Sequence, residues 1–286
     1  MPRTAEVALP ARATLGEGPT WDDRTGRLVW VDILACRVHT YDPATGADTV
    51  VETPQHVGAA KPRAGGGLVL NLRDGVGLLD PDGAFRWLTQ WPVEGRRGND
   101  AAVDAAGRLW AGTMAYDVRP GGGRLNRVEA DGSFTTVLDD VTISNGTGWS
   151  PDGTLMYYID TPLRRIDVFD VEPGAGTISN RRTLAAVTRG QPDGLTVDAD
   201  GCVWVALWDG GGVHRYTPEG ELDQVIDLPA SRVTACAFGG PDLTDLYVTT
   251  ASEGLSEAVL AVQPDAGSLF VVPGAGAGLP SQPFAG

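Results

Sequence analysis

A repeated pattern of polar turns and short apolar runs extends along the whole chain. Each copy begins with a turn that is mostly rich in Asp and Gly, and continues into a run in which apolar residues alternate with others. Alternation with a period of two, between closely spaced turn residues, predicts antiparallel β-strands. The six copies are DDRTGRLVWVD (22–32), GGGLVLNL (65–72), DAAGRLWAGTM (104–114), SPDGTLMYYID (150–160), DADGCVWVALW (198–208) and PDLTDLYVTT (241–250).

The spacing of these copies gives the size of the repeating unit. The first apolar residue after each turn recurs 40 to 48 residues further along, at Leu28, Leu68, Leu109, Leu155, Val203 and Leu246. A second turn follows the run in the first five copies, so each unit contains several short strands joined by turns. A repeat of roughly 40 to 50 residues with about four strands has the size of a propeller blade.

Six such units predict an all-β protein, a six-bladed β-propeller that occupies residues 1–286 as a single domain. The sixth unit is one strand short, and we expect the N-terminal stretch Ala5–Arg12 to supply that strand and close the ring. Closure is favoured because a ring buries the faces of each blade against its neighbours and leaves no long exposed edge.

Composition and charge narrow the range of partners. The 286 residues carry a formal net charge of -15, and the sequence pI is about 4.5. A surface of this sign repels phosphate backbones and anionic lipid headgroups, which argues against nucleic-acid and membrane partners. The N-terminus lacks a secretory leader pattern, and the three cysteines are far apart, as is typical of reduced thiols. We therefore expect a cytoplasmic protein, and a monomer because a closed ring has no edge to pair.

Carboxylate and amide side chains recur at one position of the repeat. The first strand of a propeller blade lines the central channel, so a position about ten residues before each apolar marker samples that channel. Hard oxygen ligands without His or Cys suit a cation such as Ca²⁺, Mg²⁺ or Mn²⁺. The alternative is that these residues only form turns; four in phase favour a metal site in the central channel. The position holds Glu17, Asn99, Asn145 and Asp193 in four units, and Gly58 and Cys236 in the other two.

Several longer motifs, taken in their order along the chain, resemble a known family. They are GEGPTWDDRTGRLVWVDI, RGNDAAVDAAGRLWAGTM, ISNGTGWSPDG, PDGLTVDADGCVWVA and CAFGGPDLTDLYVTTA. In these stretches, which cover almost the entire chain, the sequence is similar to senescence marker protein (regucalcin), the bacterial gluconolactonases and luciferin-regenerating enzyme. The resemblance implies a six-bladed propeller that binds one divalent cation, with Ca²⁺, Zn²⁺, Mn²⁺, Mg²⁺ and Fe²⁺ left open.

The resemblance also implies roles for individual residues. Asp117 follows the GTM motif, where mammalian members carry a Glu that is one methylene longer, and Gly98 stands where the family has an aromatic residue. Both departures bear on which substrate is bound. The implied metal ligands are Glu17, Asn145 and Asp193, and the implied substrate-binding residues are Arg97, Asn99 and Asp117.

The implied function is hydrolysis of a small sugar (aldono-) lactone to the aldonic acid. The cation would polarise the ester carbonyl, and the attacking water would be activated by Asp193 or bound as metal hydroxide, two alternatives that stay open. Arg97 and Asn99 would orient the substrate, Asp117 would accept a hydrogen bond from a hydroxyl, and residues 119–124 are expected at the rim of the channel. Two other functions also stay open: hydrolysis of organophosphate or aryl esters, and calcium binding without catalysis.

Overall fold

The computed structural model describes residues 4–172 and 174–286 and confirms the six-bladed β-propeller. After β1 (Glu6–Leu9), blade one contains β2 (Gly16–Asp22), β3 (Arg27–Asp32), β4 (Arg37–Asp42) and β5 (Ala47–Glu52), and blade two contains β6 (Val57–Pro62), β7 (Leu68–Leu72), β8 (Gly75–Leu79) and β9 (Phe85–Gln90). Blade three contains β10 (Arg96–Val103), β11 (Leu109–Ala115), β12 (Gly123–Val128) and β13 (Phe134–Val141), and blade four contains β14 (Ser144–Trp149), β15 (Leu155–Asp160), β16 (Arg165–Glu172) and β17 (Thr177–Ala186). Blade five contains β18 (Gln191–Val197), β19 (Val203–Trp208), β20 (Gly212–Tyr216) and β21 (Leu222–Asp227), and blade six contains β22 (Val233–Gly239), β23 (Asp245–Thr250) and β24 (Leu269–Val272).

The blades are four-stranded antiparallel sheets that close into a ring. In blades one to five the strands follow one another in chain order. In blade six the order is β22, β23, β24 and β1, so the N-terminal strand forms the outer edge of the last blade, with Glu6 opposite Val271. The first strands of neighbouring blades contact each other around the ring, and β22 contacts β2. These six inner strands surround the central channel.

The Asp that begins the repeated turn fixes both the turn and a buried indole in blades three and five. Asp104 accepts hydrogen bonds from the backbone N–H of Arg108 at 3.0 Å and from Trp110 Nε1 at 2.9 Å. Asp198 accepts from Trp204 Nε1 at 2.8 Å in the same arrangement. Both indoles are almost completely buried, so each carboxylate satisfies a donor that would otherwise be costly to bury.

The hydrophobic core lies between the blades. One cluster joins Trp204 and Ile226 of blade five to Phe238 and Val248 of blade six. The alternating apolar positions of each strand thus pack against the facing positions of the next blade, which explains why a single blade is insufficient as a folding unit.

One short α-helix interrupts the described β-structure, α1 (Glu257–Val262) between β23 and β24. The sequence pattern did not predict it, since six residues are too few to show a helical period. Ser256 caps its first turn by accepting a hydrogen bond from the backbone N–H of Val259. No helix in the described part of the chain is long and apolar enough to cross a membrane.

Gly58 in β6 is expected to tolerate no side chain, because the inner strands of blades two and three approach closely there. A Cβ at Gly58 would collide with the backbone oxygen of Asn99 and lie 2.7 Å from the backbone nitrogen of the same residue. A Cβ at Gly65, in the same blade, would have no heavy atom within 4 Å. We predict that Gly58→Ala lowers the free energy of unfolding in urea by about 2 kcal/mol. The matched variant Gly65→Ala should change it by less than about 0.5 kcal/mol. Equal stability of the two variants would contradict the close approach.

Candidate active site

The candidate residues lie where the inner strands depart from regular pairing. In β2 the register shifts between Glu17 and Thr20, directly after the candidate carboxylate. A β-bulge of this kind interrupts the strict alternation of side chains and re-aims one of them. In the other three strands the shift falls between Gly98 and Ala101, between Ser144 and Thr147, and between Pro192 and Leu195, so Asn99, Asn145 and Asp193 are each the first unpaired residue.

In blade six the bulge falls at Thr234 rather than at Cys236, the position that the spacing along the sequence selected. The register of β22 shifts between Val233 and Ala235. Cys236 instead packs in the cluster between blades five and six. The spacing misleads here because β22 continues for longer after its bulge than β18 does.

The glycines that follow two candidate residues allow neighbouring inner strands to approach closely. A Cβ at Gly146 would lie 2.7 Å from the backbone nitrogen of Leu195, and a Cβ at Gly194 would lie 2.5 Å from Cβ of Ala235. Both glycines lie within strands, so their presence reflects packing between blades rather than turn formation. This packing brings the candidate side chains of different blades together in the channel.

Buried hydrogen bonds connect the candidate residues of blades three and four. Arg97 Nη1 donates to Asn99 Oδ1 at 2.7 Å, and Asn99 Nδ2 donates to Asn145 Oδ1 at 3.2 Å. Asn145 Nδ2 donates to Thr161 Oγ1 at 2.9 Å. Asn71 Nδ2 supports the bulge by donating to the backbone oxygen of Asn99 at 2.9 Å. An amide oxygen accepts two hydrogen bonds or ligands, so Oδ1 of Asn145 keeps capacity for a cation.

Two buried carboxylates share the candidate site, Glu17 and Asp193, which are 5% and 6% exposed. Burial, reinforced by the negative charge of Asp100, raises the pKa of Glu17 to about 8. Burial and the charges of Glu17 and Asp100 raise the pKa of Asp193 well above its usual value. Three carboxylates therefore crowd a region of low dielectric, with Arg97 and Lys61 as the nearby positive charges. A bound divalent cation would relieve this repulsion.

The donor set fits a divalent cation held by oxygen ligands. Glu17 and Asp193 offer carboxylates and Asn145 offers an amide oxygen, which are the ligand types that hard cations prefer. Within residues 4–172 and 174–286, no group of three or more His, Cys, Asp or Glu side chains is placed to hold a metal ion. Two carboxylates and one amide are fewer ligands than a hard cation takes, so positions would remain for water and substrate.

Two cavities lie along the channel. The first, which we call the site cavity, has a volume of about 360 Å³ and is lined by Glu17, Arg97, Asn99, Asn145 and Asp193 together with the rim residues described below. The second has a volume of about 400 Å³ and is lined by later residues of the same strands, such as Thr20 and Cys236. Because the inner strands run side by side, the two cavities lie towards opposite ends of the channel. The smaller one contains the candidate chemistry and has the size of a small-molecule site.

Asp117 is the one predicted site residue that the structure does not bring into the site cavity. It follows the end of β11, is exposed to solvent, and its carboxylate accepts a hydrogen bond from Arg119 Nη1 at 3.0 Å. Its neighbours Tyr116 and Val118 line the cavity instead. The rim therefore presents an aromatic and an aliphatic side chain at the place where the resemblance implied an acid.

Three charged residues that were not predicted as site residues line the channel or the site cavity: Lys61, Asp100 and Glu253. Lys61, the only lysine, is buried in β6 and donates from Nζ to Thr20 Oγ1 at 2.7 Å. Because the chain has one lysine and it falls in a predicted inner strand, the sequence could have indicated a positive charge in the channel. Glu253 had no such signal, because it follows β23 in a segment without the repeated pattern.

Comparison with known proteins identifies the family. A family model described as SMP-30/Gluconolactonase/LRE-like region matches residues 15–252. The chain belongs to this family. One relative, the putative sugar lactone lactonase YvrE of Bacillus subtilis, is 39% identical over 289 residues, which cover 99% of each chain. Another, pentonolactonase XacC of Haloferax volcanii, is 41% identical over 251 residues, which cover 87% of this chain and 85% of that protein.

A solved structure of the same family has the same architecture. The calcium-binding protein regucalcin from Agrobacterium tumefaciens superimposes with a TM-score of 0.94 at 29% sequence identity, and the match covers 99% of this chain and 98% of that chain. The family membership that the motifs implied is thus confirmed.

Proposed function

We propose that this protein is a metal-dependent sugar lactonase, which opens an aldonolactone to the aldonic acid. The observation that carries the proposal is the meeting of Glu17, Asn145 and Asp193 with Arg97 and Asn99 in one cavity of about 360 Å³. Two relatives that match most of the chain are a putative sugar lactone lactonase and a pentonolactonase. Their names support a cyclic ester of a sugar acid as the substrate.

The residues of the site would bind the lactone, orient it and move one proton. A divalent cation held by Glu17, Asn145 and Asp193 supplies Lewis acidity, which polarises the ester carbonyl and offsets the charge that develops on its oxygen. Arg97 and Asn99 would orient the substrate by hydrogen bonds to its oxygens. Asp193 would accept a proton from water as the water oxygen adds to the carbonyl carbon. The ring C–O bond would then break, and the ring oxygen would take that proton from Asp193 and leave as a hydroxyl of the open acid.

Arg97 should contribute mainly to substrate binding. Its guanidinium is buried in the cavity wall and already oriented by Asn99 and the carbonyl of Gly98, so it offers its remaining N–H groups without reorganisation. We predict that Arg97→Ala raises KM for an aldonolactone at least about tenfold and lowers kcat less, because one charged hydrogen bond contributes about 1.5 to 3 kcal/mol. Steady-state kinetics measure both constants. Arg182→Ala, at an exposed arginine of β17, is the control and should match the unsubstituted protein.

A substrate panel tests the proposed function against its two alternatives. Proton release from glucono-, xylono-, arabinono- and galactonolactone would be compared with hydrolysis of paraoxon and phenyl acetate, in the presence of divalent metal. Faster turnover of aldonolactones supports the proposal. Faster hydrolysis of paraoxon or of phenyl acetate would identify the protein as a hydrolase of organophosphates or of aryl esters instead. Tight binding of Ca²⁺ with no hydrolysis would favour a calcium-binding role. The similarity to the calcium-binding protein regucalcin supports this alternative.

A further inference from the structure

Three side chains from blades five and six form a part of the site cavity that none of the proposed roles uses. Gln191 begins β18, Trp208 ends β19 directly opposite it, and Glu253 follows β23. All three line the site cavity and are half-buried. They lie on different blades from Arg97 and Asn99, so they form a separate wall of the same cavity.

Two of these side chains, those of Gln191 and Glu253, are polar. Among the described residues, neither the carboxylate of Glu253 nor the amide of Gln191 takes part in a side-chain hydrogen bond or an ion pair. Burial lowers the pKa of the Arg97 guanidinium, and the negative charge of Glu253 is among those that oppose this shift. An acid and an amide that are half-buried without partners are suited to hydroxyl groups of a ligand, which donate to the acid and exchange both kinds of hydrogen bond with the amide.

Trp208 adds an apolar surface to the same wall of the site cavity. Its ring packs against the hydrophobic cluster of blades one and two, which includes Leu15 and Ile33. The guanidinium of Arg232 lies over the ring at 4.6 Å from its centroid and is itself paired with Asp209 at 3.3 Å. These contacts restrict the indole, and the part of it that stays exposed lines the site cavity. The exposed part of an indole, in one wall with an acid and an amide, suits a polyol, which has apolar C–H groups between its hydroxyls.

The position of this wall relative to Asp193 agrees with the length of a sugar lactone. Gln191 lies two residues before Asp193 on the same strand, which corresponds to roughly 7 Å. A lactone whose carbonyl lies beside Asp193 can therefore extend its exocyclic carbon chain to Gln191, Trp208 and Glu253.

Among the described residues, Glu253 forms no ion pair, and three arginines of the outer loops are paired with other acids. Arg119 is paired with Asp117, Arg189 with Asp227 and Arg232 with Asp209. Arg97 is bonded to Asn99 and the carbonyl of Gly98, deeper in the cavity. A negative group at the far end of the substrate would meet the carboxylate of Glu253, and the three outer-loop arginines are already paired with other acids.

We propose that Gln191, Trp208 and Glu253 form the subsite for the exocyclic polyol chain of the substrate, and that Glu253 makes the site select neutral aldonolactones over lactones with an anionic chain end. This inference rests on the proposed lactonase function. It assigns a specificity-determining role to three residues and defines the substrate class by charge.

A matched pair of lactones tests the charge selection. D-Glucono-1,4-lactone and D-glucaro-1,4-lactone differ only at C6, which is a hydroxymethyl group in the first and a carboxylate in the second. We expect the protein to prefer the neutral lactone in kcat/KM, and Glu253→Gln to reduce that preference about tenfold, mainly through KM. Glu257→Gln, which removes an exposed acid on α1, should keep the preference of the unsubstituted protein. An unchanged preference in Glu253→Gln would overturn the inference.

A binding measurement separates failure of this subsite from failure of the proposed function. Calorimetric binding of 1,5-anhydro-D-glucitol, a neutral polyol ring without an ester, does not depend on turnover. If neither lactone is hydrolysed, the lactonase proposal fails, while weaker binding of the polyol to Glu253→Gln and Trp208→Ala than to Glu257→Gln still supports the subsite. Equal binding to all three variants would contradict it.

Discussion

Asp193→Asn is expected to lower kcat for an aldonolactone by about a thousandfold or more. The substitution keeps the size and one oxygen of the side chain. It removes the proposed proton acceptor for the attacking water and one of the two negative charges that would hold the cation. Loss of a general base costs roughly 10²- to 10⁴-fold in rate. Weaker polarisation of the carbonyl adds to that loss. Steady-state kinetics at saturating metal would measure the effect, and calorimetry would show reduced metal affinity.

The fold of this variant should stay intact, which makes the kinetic result interpretable. Asp193 is a buried acid whose charged form is disfavoured by burial and by Glu17, so an uncharged amide should not destabilise the metal-free protein. Asp152→Asn, at an exposed turn of blade four, is the matched control and should retain full activity. Activity of metal-saturated Asp193→Asn close to that of the control would remove Asp193 from the mechanism.

The metal-free protein is expected to lose stability as the pH rises from about 5 to 8. Burial and the charge of Asp100 raise the pKa of Glu17 from 4.5 to about 8 in the folded state. Between these values the folded protein keeps a proton that the unfolded chain has released, so the free energy of unfolding falls with increasing pH. Urea denaturation of chelator-treated, desalted protein at several pH values measures it.

Bound metal should remove this pH dependence, and a single substitution should reduce it. With a divalent cation bound, Glu17 and Asp193 would be ionised in the folded state as well as in the unfolded chain. The two states would then bind the same number of protons at these groups, and the free energy of unfolding would no longer fall with increasing pH. Glu17→Gln removes one of the buried acids whose pKa is raised, so the metal-free profile should become shallower, with Asp193 still contributing. Metal-free protein that is as stable at pH 8 as at pH 5 would show that these carboxylates do not repel each other as the structure indicates.

The fold could be predicted from the sequence because each copy of the repeat is fixed by hydrogen bonds between residues that are close along the chain. Asp104 and Asp198 each fix a turn and accept a hydrogen bond from the Trp at the second position of the following strand. The turn, the strand and the buried Trp therefore recur together. This coupling is local along the chain and therefore visible as a period of 40 to 48 residues.

The candidate site could be located only in part, because a position in the repeat does not specify where a side chain points. The spacing selected Asn99, Asn145 and Asp193 because each begins a bulge at the same distance from the next strand. It selected Cys236 instead of Thr234 because β22 is longer after its bulge. Loop residues are less predictable still: Asp117 faces solvent beside Arg119, whereas Glu253, outside any repeated motif, lines the cavity.

The most direct test of the central claim is the rate of proton release from D-glucono-1,5-lactone by protein that is first stripped of metal and then refilled. The protein would be treated with chelator, desalted, and supplied in turn with Ca²⁺, Mg²⁺, Mn²⁺, Zn²⁺ or Fe²⁺. We predict a rate that falls to the spontaneous value on stripping and returns with at least one metal, but returns in Asp193→Asn with none. Hydrolysis that persists in fully stripped protein, or that metal restores equally in Asp193→Asn, would contradict a lactonase site built on Glu17, Asn145 and Asp193.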